Sequence, residues 1–336
     1  MVKFFFVTIL SLFVLILIFV IYGIGVIIYI VDGVALTLDY PLLHESRYVL
    51  RDFLYTLTNP IFAVVIVIML SIAIVGLFSN KLRHRIDESL YTLRTRPINP
   101  KNVTVVLPAY NEEAVIGGCV EEFLTNKYVK HVLVVDNNSK DNTVIQAQKF
   151  GAEIITETNQ GYGFACLRGL KEALKTDSEI IVLCEGDGTQ NGKDLDKLMS
   201  YIDNCDMVIG TRTVRSLLEN NTQMSQFYMW GNYFIALLIG VKYFNPIDIS
   251  YVRLTDAGCT FRAIRRDALK KIISNLEPKI HTFALHMIIE ALEHDLTIVE
   301  VPVTFRKRIG ESKGAGGKKS LGFQVGLSMI MEILTR

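Results

Sequence analysis

The sequence carries almost no excess of charge: 35 Lys and Arg stand against 34 Asp and Glu, a formal net charge of +1 over 336 residues. That balance gives no electrostatic reason to bind nucleic acid, and no long basic helix interleaved with aromatics supplies one. Cysteine is too sparse to form a framework. The five, Cys119, Cys166, Cys184, Cys205 and Cys259, are scattered, odd in number and without a C-x-x-C pair. This argues against a disulfide scaffold and a thiolate zinc site, and favours a reducing compartment. Histidine offers no ligand pair either, since His281 and His286 are five apart and off a shared helical face. There is one tryptophan, no internal repeat and no low-complexity tract.

What is abundant is hydrophobic surface, 50% of the residues, enough for one sizeable core with segments left over. The surplus lies near the N-terminus, where residues 4–31 carry no charge and residues 61–78 form a second apolar run. The first is too long for the core of a signal peptide and lacks a small-residue cleavage site. The two therefore read as a transmembrane helical hairpin, about 4–31 and 59–79. NKLRHR, Arg94 and Arg96 make the linker 80–99 basic, whereas the loop between the runs holds Arg47 and Arg51 against four acids. Residues 1–99 are thus expected to form an integral membrane anchor with the rest of the chain in the cytoplasm.

From Pro100 onward short β-branched runs alternate with helical patterns, from VTVVLP through HVLVVD and EIIVLCEGD to DMVIGTR. Uninterrupted apolar strands separated by helices predict an α/β domain over 100–315, a doubly wound, mainly parallel sheet covered on both faces. Ligands sit at strand ends in such sheets, and four ends here are polar: Pro108-Ala109-Tyr110-Asn111-Glu112, Asp136-Asn137-Asn138-Ser139, Glu185-Gly186-Asp187 and Gly210-Thr211-Arg212. After Arg212 the rhythm breaks. Residues 226–244 suit a helix lying at a membrane interface and suit a core helix equally well. LTDAGCTFRAIRR (254–266) and LTIVEVPVTFRKR (296–308) read as further strands, and 316–336 as a second amphipathic, interfacial helix.

Glu185 and Asp187, one residue apart at a strand end, point to the same side of an extended backbone. Such a pair is a solvated turn or a site for a hard divalent cation, Mg²⁺ or Mn²⁺, which a diphosphate can also bridge. Asp136 and Asn138 can read the edges of a nucleotide, or can make an Asx-turn and helix cap. Gly163, in GYGFA, lets the backbone approach a ligand. GESKGAGGKK (310–319) fails the spacing of a phosphate-binding P-loop.

Taken in order, LPAYNEE, VVDNNSKDNT, GYGFACLRG, EGDGT, GTR, TDAGCTFRAIRR and VPVTFRKRIGESK resemble the family 2 glycosyltransferases of the GT-A fold, a Rossmann-like, doubly wound mixed sheet. More narrowly they resemble the polyprenyl-phosphate sugar transferases, the dolichyl-phosphate mannose or glucose synthase group. The resemblance implies that Pro108, Ala109, Tyr110, Glu112 and Asp136 hold the nucleoside, and that Glu185 and Asp187 match the D-x-D that binds metal and diphosphate, with Gly186 between them. It places Asp256 beside the sugar as an orienting group and possible base. Arg212, Arg308, Ser312 and Lys313 would then meet the acceptor phosphate, Arg308 and Lys313 also steadying the leaving group; Arg262 is a second candidate for that phosphate, less well matched than Arg212, or else is paired structurally. Two departures stand out: Glu185 replaces the first Asp, and Thr189 stands where the group often has Gln.

The implied activity is inverting transfer of a sugar from GDP-mannose or a UDP-hexose to a polyprenyl phosphate at the cytoplasmic membrane face. Partners are then a nucleotide sugar, a polyprenyl or dolichyl phosphate and the bilayer. A processive polysaccharide synthase fits less well, because its Q-x-x-R-W motif and C-terminal membrane bundle are missing. Extension of a lipid-linked glycan and a non-catalytic nucleotide-sugar-binding subunit are the remaining alternatives.

Overall fold

The computed structural model describes residues 67, 69–71, 96–244, 252–279, 281–310 and 319–336. The chain divides into two compact units, residues 1–83 with 241–250 and residues 84–240 with 251–336. Apart from 67 and 69–71, which are helical, the expected transmembrane hairpin lies outside the described residues, as do Ser312 and Lys313. Among the described residues no helix is long and apolar enough to cross a membrane.

The second unit is built on seven strands: β1 (Val103–Ala109), β2 (Val129–Asp136), β3 (Glu153–Thr156), β4 (Ile180–Leu183), β5 (Met207–Thr211), β6 (Arg262–Arg265) and β7 (Ile298–Pro302). Their order across the sheet is β3-β2-β1-β4-β6-β5-β7. Eight helices accompany them among the described residues of the chain: α1 (Ile116–Leu124), α2 (Thr143–Lys149), α3 (Tyr162–Ala173), α4 (Leu195–Ile202), α5 (Gln226–Lys242), α6 (Arg266–Ile272), α7 (Phe283–Glu293) and α8 (Lys319–Thr335). Every residue of β1, β4 and β5 is buried, as continuous apolar strands between two helical layers require. The five cysteines are free and buried.

The sheet is mixed. β1 pairs in parallel with β2 and β4, β2 with β3, and β5 with β7, but β6 runs antiparallel between β4 and β5. The segment LTDAGCTFRAIRR is therefore a strand only in its last part. Its first half turns, because the Asp256 carboxylate accepts the Gly258 N–H at 3.1 Å and so competes with a strand ladder. Ala109 at the end of β1 stands opposite Asp136 at the end of β2, and Val106 opposite Leu183 at the end of β4. The parallel strands thus stop along one edge, where the polar loops begin.

Helix α3 lies directly against that sheet at Gly169, where an added Cβ would fall 2.3 Å from Val106 Cγ1 and 2.7 Å from Val135 Cγ2. In an open helical position alanine is favoured over glycine by about 1 kcal/mol; here crowding reverses the sign. Gly169→Ala is expected to destabilise the domain by about 1–3 kcal/mol in denaturant titration, whereas Gly118→Ala in α1, which meets nothing within 4 Å, should be neutral or stabilising. Equal effects at the two positions would contradict this packing.

Candidate active site

The strand ends open into a cleft of about 750 Å³. Pro108 and Ala109 at the end of β1, Tyr110 and Glu112 after it, Asn137 after β2, Glu185, Gly186 and Asp187 after β4, Arg212 after β5, and Arg308 line its charged end. Phe227, Tyr228, Phe234 and Ile235 of α5, with Phe323, Leu327, Met329 and Ile330 of α8, line the rest. One cavity thus joins an ionic half to an apolar half.

Local chain chemistry sets the ionic half. Asn111 adopts φ 53°, a left-handed conformation that asparagine tolerates better than most residues. Its Oδ1 accepts the Lys140 N–H at 2.7 Å, and its own N–H donates to Ser139 Oγ at 3.0 Å, stitching the β1 loop to the β2 loop. Glu112 N–H donates to Thr143 Oγ1 at 2.8 Å. Past β4, Asp187 Oδ1 accepts the Thr189 N–H and hydroxyl at 3.0 and 2.6 Å, and Gly188 takes φ 76° to complete the turn. The chain leaving β7 crosses this turn, with Arg306 N–H donating to Thr189 O at 2.6 Å. That crossing delivers Arg308, whose guanidinium donates to Asp187 Oδ2 at 2.6 Å and to Glu112 Oε1. Glu112, rather than Glu185, therefore shares a cation with Asp187. Glu185 stands beside them, half-buried, its carboxyl pushed up to about 7 by desolvation and then by the Asp187 charge, against the pull of Arg212 and Arg308.

A second buried pair flanks the first. Arg212 donates through Nε to Asp256 Oδ2 at 2.8 Å and through Nη2 to Oδ1 at 3.0 Å, and its backbone N–H reaches Oδ2 at 3.1 Å. Its guanidinium also lies 5.3 Å from the centre of the Phe305 ring. Burial works against the charge on Asp256, but Arg212 outweighs it and holds the carboxyl below the ordinary range. The Thr255–Asp256 turn is anchored in its turn by Glu300 of β7, which accepts the Thr255 and Asp256 N–H groups at 2.8–2.9 Å.

Several expected site residues stand elsewhere. Asp256 is completely buried and its four accepted bonds all come from Arg212 and Gly258, so it is unsuited to act as a base. Arg262 is completely buried too, its guanidinium donating to the Ala284 and Cys259 carbonyls; it braces the core and does not reach the cleft. Gly163 approaches protein, not ligand, because an added Cβ would lie 2.1 Å from Lys279 O. Asp136 and Asn138 shape their loop: Asp136 Oδ1 accepts the Ser139 N–H at 3.2 Å, and Asn138 donates to Thr158 O at 2.9 Å. Their neighbour Asn137 lines the cleft and ties down the facing loop, donating to Glu157 O and Asn159 O and accepting from Gly161 N–H at 2.7 Å. The middle residue of D-N-N was the signal for it; Glu300 had none, being one acid in a strand.

Residues 104–273 match the family described as Glycosyl transferase family 2. The chain belongs to that family. This glycosyltransferase is 32% identical over 240 residues to an uncharacterized protein of Methanocaldococcus jannaschii, a match spanning 70% of this chain and 93% of the relative. It is 28% identical to an undecaprenyl-phosphate mannosyltransferase of Micrococcus luteus over 64% of this chain and 88% of that protein. Among solved structures, glucosyl-3-phosphoglycerate synthase of Mycobacterium tuberculosis, crystallised with Mn²⁺, UDP-glucose and phosphoglyceric acid, superposes with a TM-score of 0.52 at 18% identity, over 70% of this chain and 80% of that one. The likeness supports a GT-A-like mixed sheet.

Removing one partner of a buried ion pair strands the other, at about 3–5 kcal/mol. Asp256→Asn should therefore destabilise the glycosyltransferase by about that amount at neutral pH, measured by denaturant unfolding. Because the Asp256 pKa is depressed in the folded state, the pair's contribution is complete above the ordinary carboxylate range and is lost as pH falls through the folded value. The gap between wild type and variant should accordingly close below about pH 4. A gap independent of pH would place the effect elsewhere.

Proposed function

We propose that this glycosyltransferase moves a sugar from a nucleoside diphosphate donor to a polyprenyl phosphate by one in-line displacement. The observation that carries the reading is the single cleft whose ionic half, with Glu112, Asp187, Arg212 and Arg308, continues into an apolar half between α5 and α8. A substrate that is a phosphate at one end and a hydrocarbon chain at the other matches both halves. The names of relatives such as the undecaprenyl-phosphate mannosyltransferase support it.

The outward sides of α5 and α8 fit the same picture. Trp230, Tyr233, Leu237 and Met331 are large apolar residues left exposed there, and Phe227, Phe323 and Leu327 of the cleft wall are exposed as well, the composition of helices lying in a headgroup layer. In this reading residues 1–99 anchor the enzyme to the membrane, and the domain beginning at residue 100 works at its cytoplasmic face.

In the displacement, an oxygen of the acceptor phosphate forms the bond to the anomeric carbon while the bond from that carbon to the diphosphate breaks. The electron pair leaves on the nucleoside diphosphate, and the anomeric configuration inverts. A phosphate with a second pKa near 6 is already largely anionic at neutral pH, so no side chain has to remove a proton. This agrees with an Asp256 committed to Arg212. Arg212, rigidly held, offers its guanidinium to the acceptor phosphate; Tyr110, Glu112 and Asn137 border the nucleoside end; Arg308, together with Ser312 and Lys313, donates to phosphate oxygens.

Glu112, Glu185 and Asp187 present a purely oxygen donor set, which suits Mg²⁺ or Mn²⁺. Among the described residues no three His, Cys, Asp or Glu side chains gather closely enough to hold an ion by themselves, so diphosphate oxygens would complete the coordination. Bound there, the cation would neutralise charge on the departing diphosphate. Glu112, Glu185 and Asp187 are the residues that would hold it, with Arg308, which pairs with Glu112 and Asp187, beside them to meet the phosphates.

Asp187→Asn, which leaves Arg308 paired with Glu112, is expected to lower transfer by about 10²–10³-fold with a smaller loss of stability than Asp256→Asn; full activity would remove the metal role. Product analysis tests the acceptor: after incubation with a panel of nucleotide sugars and a polyprenyl phosphate, a lipid monophosphosugar cleaved by mild acid is expected. A glycan longer by one unit would assign the enzyme to lipid-linked glycan extension.

A further inference from the structure

Helix α5 is apolar along most of QFYMWGNYFIALLIGVK, yet it turns a carboxamide toward the cleft. Asn232 is half-buried and lines the cavity, beside Phe234 and Ile235 of the same helix. Its side chain makes no hydrogen bond to another described residue, so its two amide N–H donors are available to a ligand.

Its position is defined by Gly258. A Cβ built on that glycine would fall 2.6 Å from Asn232 Oδ1 and 3.3 Å from Arg212 Nη2. The carboxamide and the guanidinium thus converge over bare backbone that any larger residue at 258 would fill. Gly258 and Arg212 are themselves joined, since Asp256 Oδ1 accepts both the Gly258 N–H at 3.1 Å and Arg212 Nη2 at 3.0 Å. Nε and Nη2 of Arg212 are committed to Asp256, which leaves Nη1 without a hydrogen bond to a described residue. A cation fixed in orientation and an uncommitted amide therefore flank one small space. That space lies where the apolar stretch of α5 meets the ionic end of the cleft.

We propose that Asn232 contacts the acceptor, its Nδ2 donating to an oxygen of the lipid phosphate that Arg212 holds. The inference rests on the reading of the acceptor as a polyprenyl phosphate. Two features favour the acceptor over the donor as its ligand. The residues that bind diphosphate or metal in that reading, Glu112, Asp187 and Arg308, are held together by their own ion pairs. Asn232 instead projects from the helix that walls the apolar half, along which a lipid head would arrive. An amide there adds donors without adding a second charge, so the phosphate keeps the negative charge it needs as nucleophile.

The test uses the full chain in lipid nanodiscs, with polyprenyl phosphate and the nucleotide sugar varied independently. Asn232→Ala should raise the KM for polyprenyl phosphate about tenfold, the effect of one hydrogen bond to a charged group. The donor KM and the Kd for the nucleoside diphosphate should stay unchanged, which also reports that the variant is folded. Asn232→Asp should raise the acceptor KM further, because a carboxylate then faces the phosphate. That added loss should recede as pH is lowered and the new acid regains a donor, a response that altered packing would not give. A rise in donor KM instead would assign Asn232 to the sugar, and unchanged constants would make it a bystander; either overturns the proposal. If the unaltered enzyme makes no product from polyprenyl phosphate, the acceptor reading itself fails and takes the inference with it. The wild-type rate separates that outcome from a failure of Asn232 alone.

Discussion

Carboxylates gathered where parallel strands stop repel one another, and the architecture of this domain follows from how that repulsion is met. Glu112 and Asp187 follow two adjacent strands, β1 and β4. The counter-charge is Arg308, brought across the edge by the segment that leaves β7. The course of that segment, its bond from Arg306 to Thr189 and its bridge between Phe305 and Gln190 all serve to hold one guanidinium over two acids. A cluster so neutralised keeps its carboxylate oxygens at the edge of the cleft.

The neighbouring Asp256–Arg212 pair solves a different problem. A buried bidentate carboxylate fixes both the charge and the direction of Arg212, as the proposed contact with an acceptor phosphate requires. The same contact removes Asp256 from acid–base work, which the proposed acceptor tolerates because a phosphate is already an anion. With such an acceptor the chemistry reduces to placement and to control of charge.

Much of this was legible beforehand because it is local. The strand β4 and its acidic turn, the polar ends of β1, β2 and β5, and the family resemblance all lie in short contiguous stretches whose pattern survives without a partner. What was not legible depends on pairing between distant segments. Nothing in TFRAIRR indicates that β6 inserts antiparallel between β4 and β5, and so nothing shows that Arg262 faces carbonyls of the core while Arg212 reaches the cleft. The motif containing Gly163 read as space for a ligand, yet the space is taken by the Lys279 carbonyl, from a loop more than a hundred residues later. Asn137 was obscured by its neighbours, since three adjacent polar residues can share a turn in several ways. Glu300 has no motif at all; only the turn it anchors reveals what it does.

The pairing of Arg308 with Glu112 also bears on how the polypeptide is born. The two residues are 196 positions apart and Arg308 is 121 beyond Asp187, so both acids leave the ribosome long before their counter-ion exists. The first four strands are neighbours in the sheet, but the rim at their ends lacks its cation until nearly the whole polypeptide has been translated. Completion of the substrate chamber is therefore among the last events of biogenesis, a non-local closure of the slow kind. A nascent chain holds the acids of the cleft well before it holds the cation that pairs with them.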